Sequence, residues 1–98
     1  MKEMSEENIV FIGRKPAMNY VMACFTLVHS GKNKITIKAR GKSINKAVDV
    51  VEILKNRLFK DNIKKINITT GTDIIESPDR GTFNISTIEI ELEIKKPI

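Results

Sequence analysis

Lys34-Ile35-Thr36-Ile37-Lys38-Ala39-Arg40-Gly41-Lys42-Ser43-Ile44-Asn45-Lys46-Ala47-Val48 changes its apolar period part-way along. Up to Arg40 it alternates. Ile35, Ile37 and Ala39 fall on one side and Lys34, Thr36, Lys38 and Arg40 on the other, the pattern of a half-buried strand with a basic outer face. Beyond Gly41 the apolar residues Ile44, Ala47, Val48, Val51, Leu54 (or Lys55) and Leu58 follow helical spacing. The reading is a strand, a glycine turn, Ser43 as N-cap, and a helix running to about residue 59.

Working upstream, residues 8–12 hold the apolar run Ile9-Val10-Phe11-Ile12, closed by Gly13 and short enough for a buried strand. Pro16 suits the first turn of a helix, where its missing N–H has no intrahelical partner to lose. The stretch from Ala17 to His29 then contains no Gly or Pro. This first helix is apolar nearly all round, with Met18, Val21, Met22, Phe25 and Val28 on one stripe and Ala17, Tyr20, Cys24 and Leu27 on another. Two apolar faces need two packing surfaces: the sheet of its own domain, and a neighbouring helix or partner subunit. Gly31 is the expected left-handed terminator, and His29, near the helix end, is read as structural or exposed.

Downstream, residues 62 to about 75 read as a third strand through Ile66, Ile68 and Thr70. Residues 85–95 read as a fourth, with Ile88, Ile90, Leu92 and Ile94 alternating with Glu89, Glu91 and Glu93. The connection at 76–82 contains Pro78-Asp79-Arg80-Gly81, strong turn chemistry, so the two strands form a hairpin. The apolar phase changes between Phe83/Ile85 and Ile88, which suggests a bulge near Ser86-Thr87. The order is βαβαββ. Right-handed crossovers put both helices on one face of a mixed four-stranded sheet, giving an α+β, two-layer sandwich with a long hairpin between the third and fourth strands. If the second and fourth strands are neighbours, Lys34 and Lys38 oppose the Glu row, whose role is then structural.

With 98 residues the chain has room for a single domain over 1–98, the acidic first seven residues being expected to be disordered. No apolar run approaches the roughly 20 residues that cross a bilayer, and the polar N-terminus does not resemble a secretory signal. An intracellular, membrane-free protein is expected. A lone cysteine, Cys24, inside an apolar segment reads as a buried small hydrophobe rather than a metal ligand.

The net charge of +5 is regional. Arg14, Lys15, Lys32, Lys34, Lys38, Arg40, Lys42 and Lys46 occur between Asn8 and Val48 without a single acidic residue, whereas the rest of the chain is slightly acidic. Segregation of this kind attracts polyanions. One His, one Cys and no paired carboxylates in a plausible cleft supply no acid, base or nucleophile set, so no enzyme and no cofactor or metal are expected. Gly13-Arg14-Lys15-Pro16 lacks the glycine spacing and Lys-Ser/Thr ending of a nucleotide phosphate loop. As a contact to polymer phosphates the same loop makes better sense, because Arg14 and Lys15 precede a helix N-terminus that already favours anions. Loops that follow two parallel strands emerge at one end of a sheet, so Arg14 and Lys15 should lie near Arg40 and Lys42, with Lys46 extending the group. The competing reading is that these are solvated loop charges.

At this point the residues resemble a known family. Gly13-Arg14-Lys15-Pro16-Ala17-Met18-Asn19-Tyr20-Val21 is similar to the Gly-Lys-Lys-Pro-x-Met-Asn-Tyr-Val signature of the Alba family of archaeal chromatin and RNA-binding proteins. Ile37-Lys38-Ala39-Arg40-Gly41-Lys42-Ser43-Ile44 with Lys46-Ala47-Val48-Asp49, Val51-Glu52-Ile53 with Asn56-Arg57, and Ser86-Thr87-Ile88-Glu89-Ile90 resemble further motifs of that family over about residues 8–95. The resemblance implies a homodimer, cytoplasmic and chromosome-associated, that coats or compacts double-stranded DNA and binds RNA with little sequence preference. It implies Arg14 and Lys15 as central contacts, Arg40 and Lys42 as phosphate contacts, and Arg80 as a contact from the hairpin tip. It also implies dimer-to-dimer packing through the end of the second helix. There the family's aromatic position falls on Leu58, with Asn56, Arg57 and Phe59 beside it.

Two further departures stand out. Arg14 takes the place of a lysine whose acetylation weakens DNA binding in the family, so acetylation would fall on Lys15. The arm carries Asp73, Glu76 and Asp79 against Arg80 alone. Two alternatives remain: an RNA-binding subunit or chaperone of an RNA-processing particle, and a protein–protein assembly adaptor.

Overall fold

The computed structural model describes residues 8–95, so the expectation for residues 1–7 lies outside the described residues. β1 (Ile9–Phe11) leads through the 13–15 loop into α1 (Ala17–His29), β2 (Lys34–Arg40) and a short 3-10 turn (Gly41–Ser43). α2 (Ile44–Ile53) continues as a π turn over Leu54–Leu58, and β3 (Ile63–Ser77) pairs with β4 (Gly81–Ile94). The sheet order is β1-β2-β4-β3, with β1 and β2 parallel and the other pairs antiparallel. This is the expected mixed α+β architecture. No helix among the described residues is long and apolar enough to cross a membrane.

Packing follows the two periods. Ile35, Ile37 and Ala39 of β2 join Ile90, Leu92 and Ile94 of β4 on one sheet face, and Val21, Cys24 and Val28 of α1 with Ala47, Val50, Val51 and Leu54 of α2 complete a single core. Each Val, Leu or Ile among them contributes roughly 1.5–3 kcal/mol when fully buried. α1 ends as expected: Gly31 takes φ +105°, and Lys32 N–H and Gly31 N–H donate to the carbonyls of Leu27 (3.1 Å) and Val28 (3.0 Å), a Schellman closure. His29 is exposed and its ring stacks on Phe25 at 4.7 Å. On the opposite sheet face Lys34 pairs in register with Glu93 and Lys38 with Glu89, while Lys65 of β3 also faces Glu93. Glu93 therefore stands between two lysines and Glu89 beside one, which relieves like-charge repulsion along β4, while Glu91 lies between Thr36 and Asn67.

Four expectations are corrected. Ser43 makes no side-chain cap bond, because as the last residue of the 3-10 turn its own backbone is already helical (φ −83°, ψ −8°) and runs directly into α2. The π turn places Phe59 N–H on the Leu54 carbonyl (2.8 Å), so the residue stacked below Leu54 is Phe59 rather than Leu58. Phe59 is consequently 0% exposed, its ring 6.4 Å from that of Phe25; it is a core residue and cannot serve packing between dimers. The hairpin strands are longer than expected, since Glu76↔Thr82 and Ser77↔Gly81 are paired and only residues 78–80 turn. Finally, β3 and β4 stay in one register past Ser86 and Thr87, and the irregularity lies at Ile63/Lys65. The phase change needs no bulge: within one continuous register Phe83 and Ile85 have the parity opposite to Ile88, so Phe83, across from Ile75, belongs to the other face of the hairpin.

Candidate nucleic-acid interface

The loop at residues 13–15 is built from inside. Gly13 N–H and Lys15 N–H both donate to Tyr20 Oη, at 2.9 and 3.1 Å. Lys46 Nζ donates to the carbonyls of Gly13 (3.1 Å) and Lys15 (2.6 Å). A phenol thus holds the donors and an ammonium the acceptors, and both ends of the loop are fixed while Arg14 and Lys15 remain exposed. Gly13 suits the close approach, since a Cβ there would lie 3.2 Å from Tyr20 Oη, tighter than an ordinary van der Waals contact. Pro16 caps the following helix without a side-chain bond, and no acidic residue sits in its first turn, so the helix end keeps its affinity for anions.

β1 and β2 run side by side, Phe11 opposite Lys38, and Ile12 N–H donates to the Lys38 carbonyl at 2.9 Å. Both strands therefore release their following turns at one end of the sheet. Gly41 adopts φ +56°, and its Cα faces Ile85 so closely that a Cβ would come within 2.8 Å of Ile85 Cδ1. The turn carrying exposed Lys42 is thereby seated on the root of the arm.

Of the expected contacts, the fold joins Arg14, Lys15 and Lys46 directly and sets Arg40 and Lys42 at the end of the adjacent strand. Lys46 spends two of its three donors on loop carbonyls, so it acts first on the shape of the loop. Arg40 is paired with Asp73 of β3 at 3.5 Å, both side chains more than half exposed. Such a pair contributes about 0–1 kcal/mol and yields readily to a phosphate. Arg80 is separate. It lies in the turn at the arm tip, past the last of six residue pairs beyond the row that holds Arg40, Thr87 and Gly71, or more than about 20 Å away at strand rise. Asn56 and Arg57 are exposed and Leu58 is half-buried.

Two residues escaped the sequence reading. Tyr20 belongs to an apolar stripe of α1, and the signal it offers is a hydroxyl that seeks a partner when the ring is packed. Asp73 reads as arm charge along the chain, and its pairing with Arg40 depends on a register that only the folded sheet defines. Among the described residues no cluster of three or more His, Cys, Asp or Glu could hold a metal ion.

The family model for Alba matches residues 8–73, from the first strand to the root of the arm. The chain belongs to the Alba family. It is 49% identical over 89 residues to the DNA/RNA-binding protein Alba of Thermoplasma volcanium, spanning 91% of this chain and 98% of that protein, and matches its Thermoplasma acidophilum counterpart equally. Among solved structures, Alba from Thermoplasma volcanium superposes with a TM-score of 0.81 at 48% identity, covering 88% of this chain and 99% of the other. ALBA1 from Trypanosoma brucei gives 0.70 at 27% identity over 90% of this chain and 69% of its own. The Alba fold thus persists at low identity.

Proposed function

We propose that this Alba-family chain binds double-stranded DNA, and RNA as well, without sequence preference, as a homodimer that coats or compacts DNA on the chromosome in the cytoplasm. The observation that carries the reading is the braced loop: Arg14 and Lys15 project from a backbone held by Tyr20 and Lys46, at the sheet end that also carries Lys42 and Arg40. Fixed cations of this kind meet phosphates without ordering a loop first, and phosphate contacts carry no base information. The names of the Thermoplasma relatives support the same reading. Binding, rather than catalysis, is what the site chemistry offers.

The dimer draws support from α1, where Met18 and Met22, one turn apart, are 50% and 49% exposed. Between dimers, Asn56, Arg57 and Leu58 are the surface residues available for packing, and acetylation of Lys15 would remove one central charge. Titrating binding to random-sequence duplex DNA against salt tests the proposal. The log-log slope should be about −0.9 for each phosphate neutralised, and Arg14→Glu with Lys15→Glu should abolish binding. Absence of binding at low salt would end it. Full function after that double reversal would instead favour an assembly adaptor, and strong preference for structured RNA over duplex DNA at one salt would favour an RNA-processing subunit.

A further inference from the structure

The helix-free face of the sheet holds a concave site beside the cationic turns, with Arg40 on its rim. Its rows follow from register: Phe11, Lys38, Glu89 and Thr69 lie side by side across all four strands, and Arg40, Thr87 and Gly71 form the next row towards the arm. Gly71 supplies the hollow, since a Cβ there would stand 3.0 Å from Thr87 Oγ1. Beyond it Asp73 closes the rim by pairing with Arg40. The resulting open pocket has a volume of about 630 Å³, within the roughly 300–1,000 Å³ typical of small-ligand clefts.

Three properties narrow what fits. First, the pocket is charge-balanced, Arg40 against Asp73 and Lys38 opposite Glu89, so a ligand seated there gains little from carrying a net charge. Second, it offers donors and acceptors together, from ammonium, guanidinium, carboxylates and threonine hydroxyls. Third, one wall is the ring of Phe11, 58% exposed in a row with Lys38, Glu89 and Thr69; Lys38 Nζ is 6.0 Å from its centroid, at the outer limit of a cation–π contact, and leaves the ring free to stack. A planar, neutral, hydrogen-bonding heterocycle meets all three requirements. Position supplies the rest: β1 passes from Phe11 and Ile12 straight into the 13–15 loop, and β2 from Arg40 into the Lys42 turn. A base lodged here belongs to a strand whose phosphates lie on those turns.

We infer that this pocket receives an unpaired nucleobase, stacked on Phe11, from a bulge adjoining a duplex held by the cationic turns. The inference rests on the nucleic-acid reading above and adds to it a preference for interrupted over perfect duplexes. Base–aromatic stacking is the source of that preference, as on other sheet and single-strand platforms.

The test compares a closed RNA duplex with the same duplex carrying one bulged uridine, and the corresponding DNA pair, at one salt concentration. The intact chain should bind the bulged forms roughly tenfold more tightly. Phe11→Leu, which keeps apolar bulk at an exposed edge, should erase that difference and leave closed-duplex affinity unchanged, whereas Phe11→Trp should preserve it. Because the chain contains no tryptophan, Phe11→Trp also provides a single fluorophore, whose emission should be quenched by the bulged duplex and not by the closed one. Equal affinity for bulged and closed duplexes overturns the inference while leaving the duplex-binding proposal intact. A change of oligomeric state in Phe11→Leu by sedimentation also overturns it, by assigning the face to contact between copies. Loss of all binding by the unaltered chain removes both. A preference seen with RNA alone or with DNA alone supports the inference and identifies the source of the base.

Discussion

Tyr20 and Lys46 turn a loop of charged residues into a rigid presenting surface, and their removal has separable consequences. Tyr20→Phe leaves two N–H groups of the 13–15 loop without their acceptor, a loss of about 1 kcal/mol for partly exposed groups. Amide exchange at Gly13 and Lys15 should accelerate, and duplex affinity should fall even though no charge has changed. Unaltered exchange at those two amides would remove Tyr20 from the account. Cys24 makes a different prediction. Burial pushes its thiol from 9.0 up to about 12. An unfolded chain ionises this thiol near 9 while the folded one keeps the proton, so the associated stability is complete below pH 9 and is lost as pH rises towards 12. Urea unfolding followed over that alkaline range should show a steeper decline for the natural chain than for Cys24→Ala, and thiol reagents should label Cys24 only on unfolding.

Among the elements, the hairpin arm is the one whose chemistry departs from a phosphate-gripping role. Asp73, at its root, holds Arg40 in a solvent-exposed pair, so it competes with any phosphate that Arg40 could bind. Asp73→Asn should therefore tighten duplex binding and steepen the salt slope by up to about 0.9, the share of one phosphate; an unchanged slope would show that Arg40 takes no part. Where β2 turns into α2, Gly41 is required by its left-handed backbone. Gly41→Ala places a Cβ in that conformation and against Ile85, at a cost of about 1–2 kcal/mol, readable as a lower urea midpoint with an unchanged m-value. The tight arm turn is secured locally: Ser77 Oγ accepts from the N–H groups of Asp79 and Arg80, both at 3.3 Å.

At the scale of the whole molecule, one side of α1 is committed to the core through Val21, Cys24 and Val28, while Met18 and Met22 stay half exposed. If that second face is the dimer surface, Met18→Glu combined with Met22→Glu should shift sedimentation from dimer to monomer without unfolding the chain. A variant that still sediments as a dimer would move the interface elsewhere. The bounds of α1 and β2, the βαβαββ order and the acid-free cationic stretch were legible because each depends on local periodicity, turn residues or charge counted along the chain. Long-range choices were not. Whether Leu58 or Phe59 enters the core depended on a single π turn, and whether the phase change before Ile88 marked a bulge depended on the register of β3 against β4. Lys46 as a brace, Tyr20 as an acceptor and Asp73 as the partner of Arg40 each join residues 5 to 33 positions apart. Periodicity reports which side of an element is apolar, and it carries no information about what lies across from that side. Only closure of the sheet and docking of the helices supply those partners, which is why the site's composition could be read from the chain and its geometry could not.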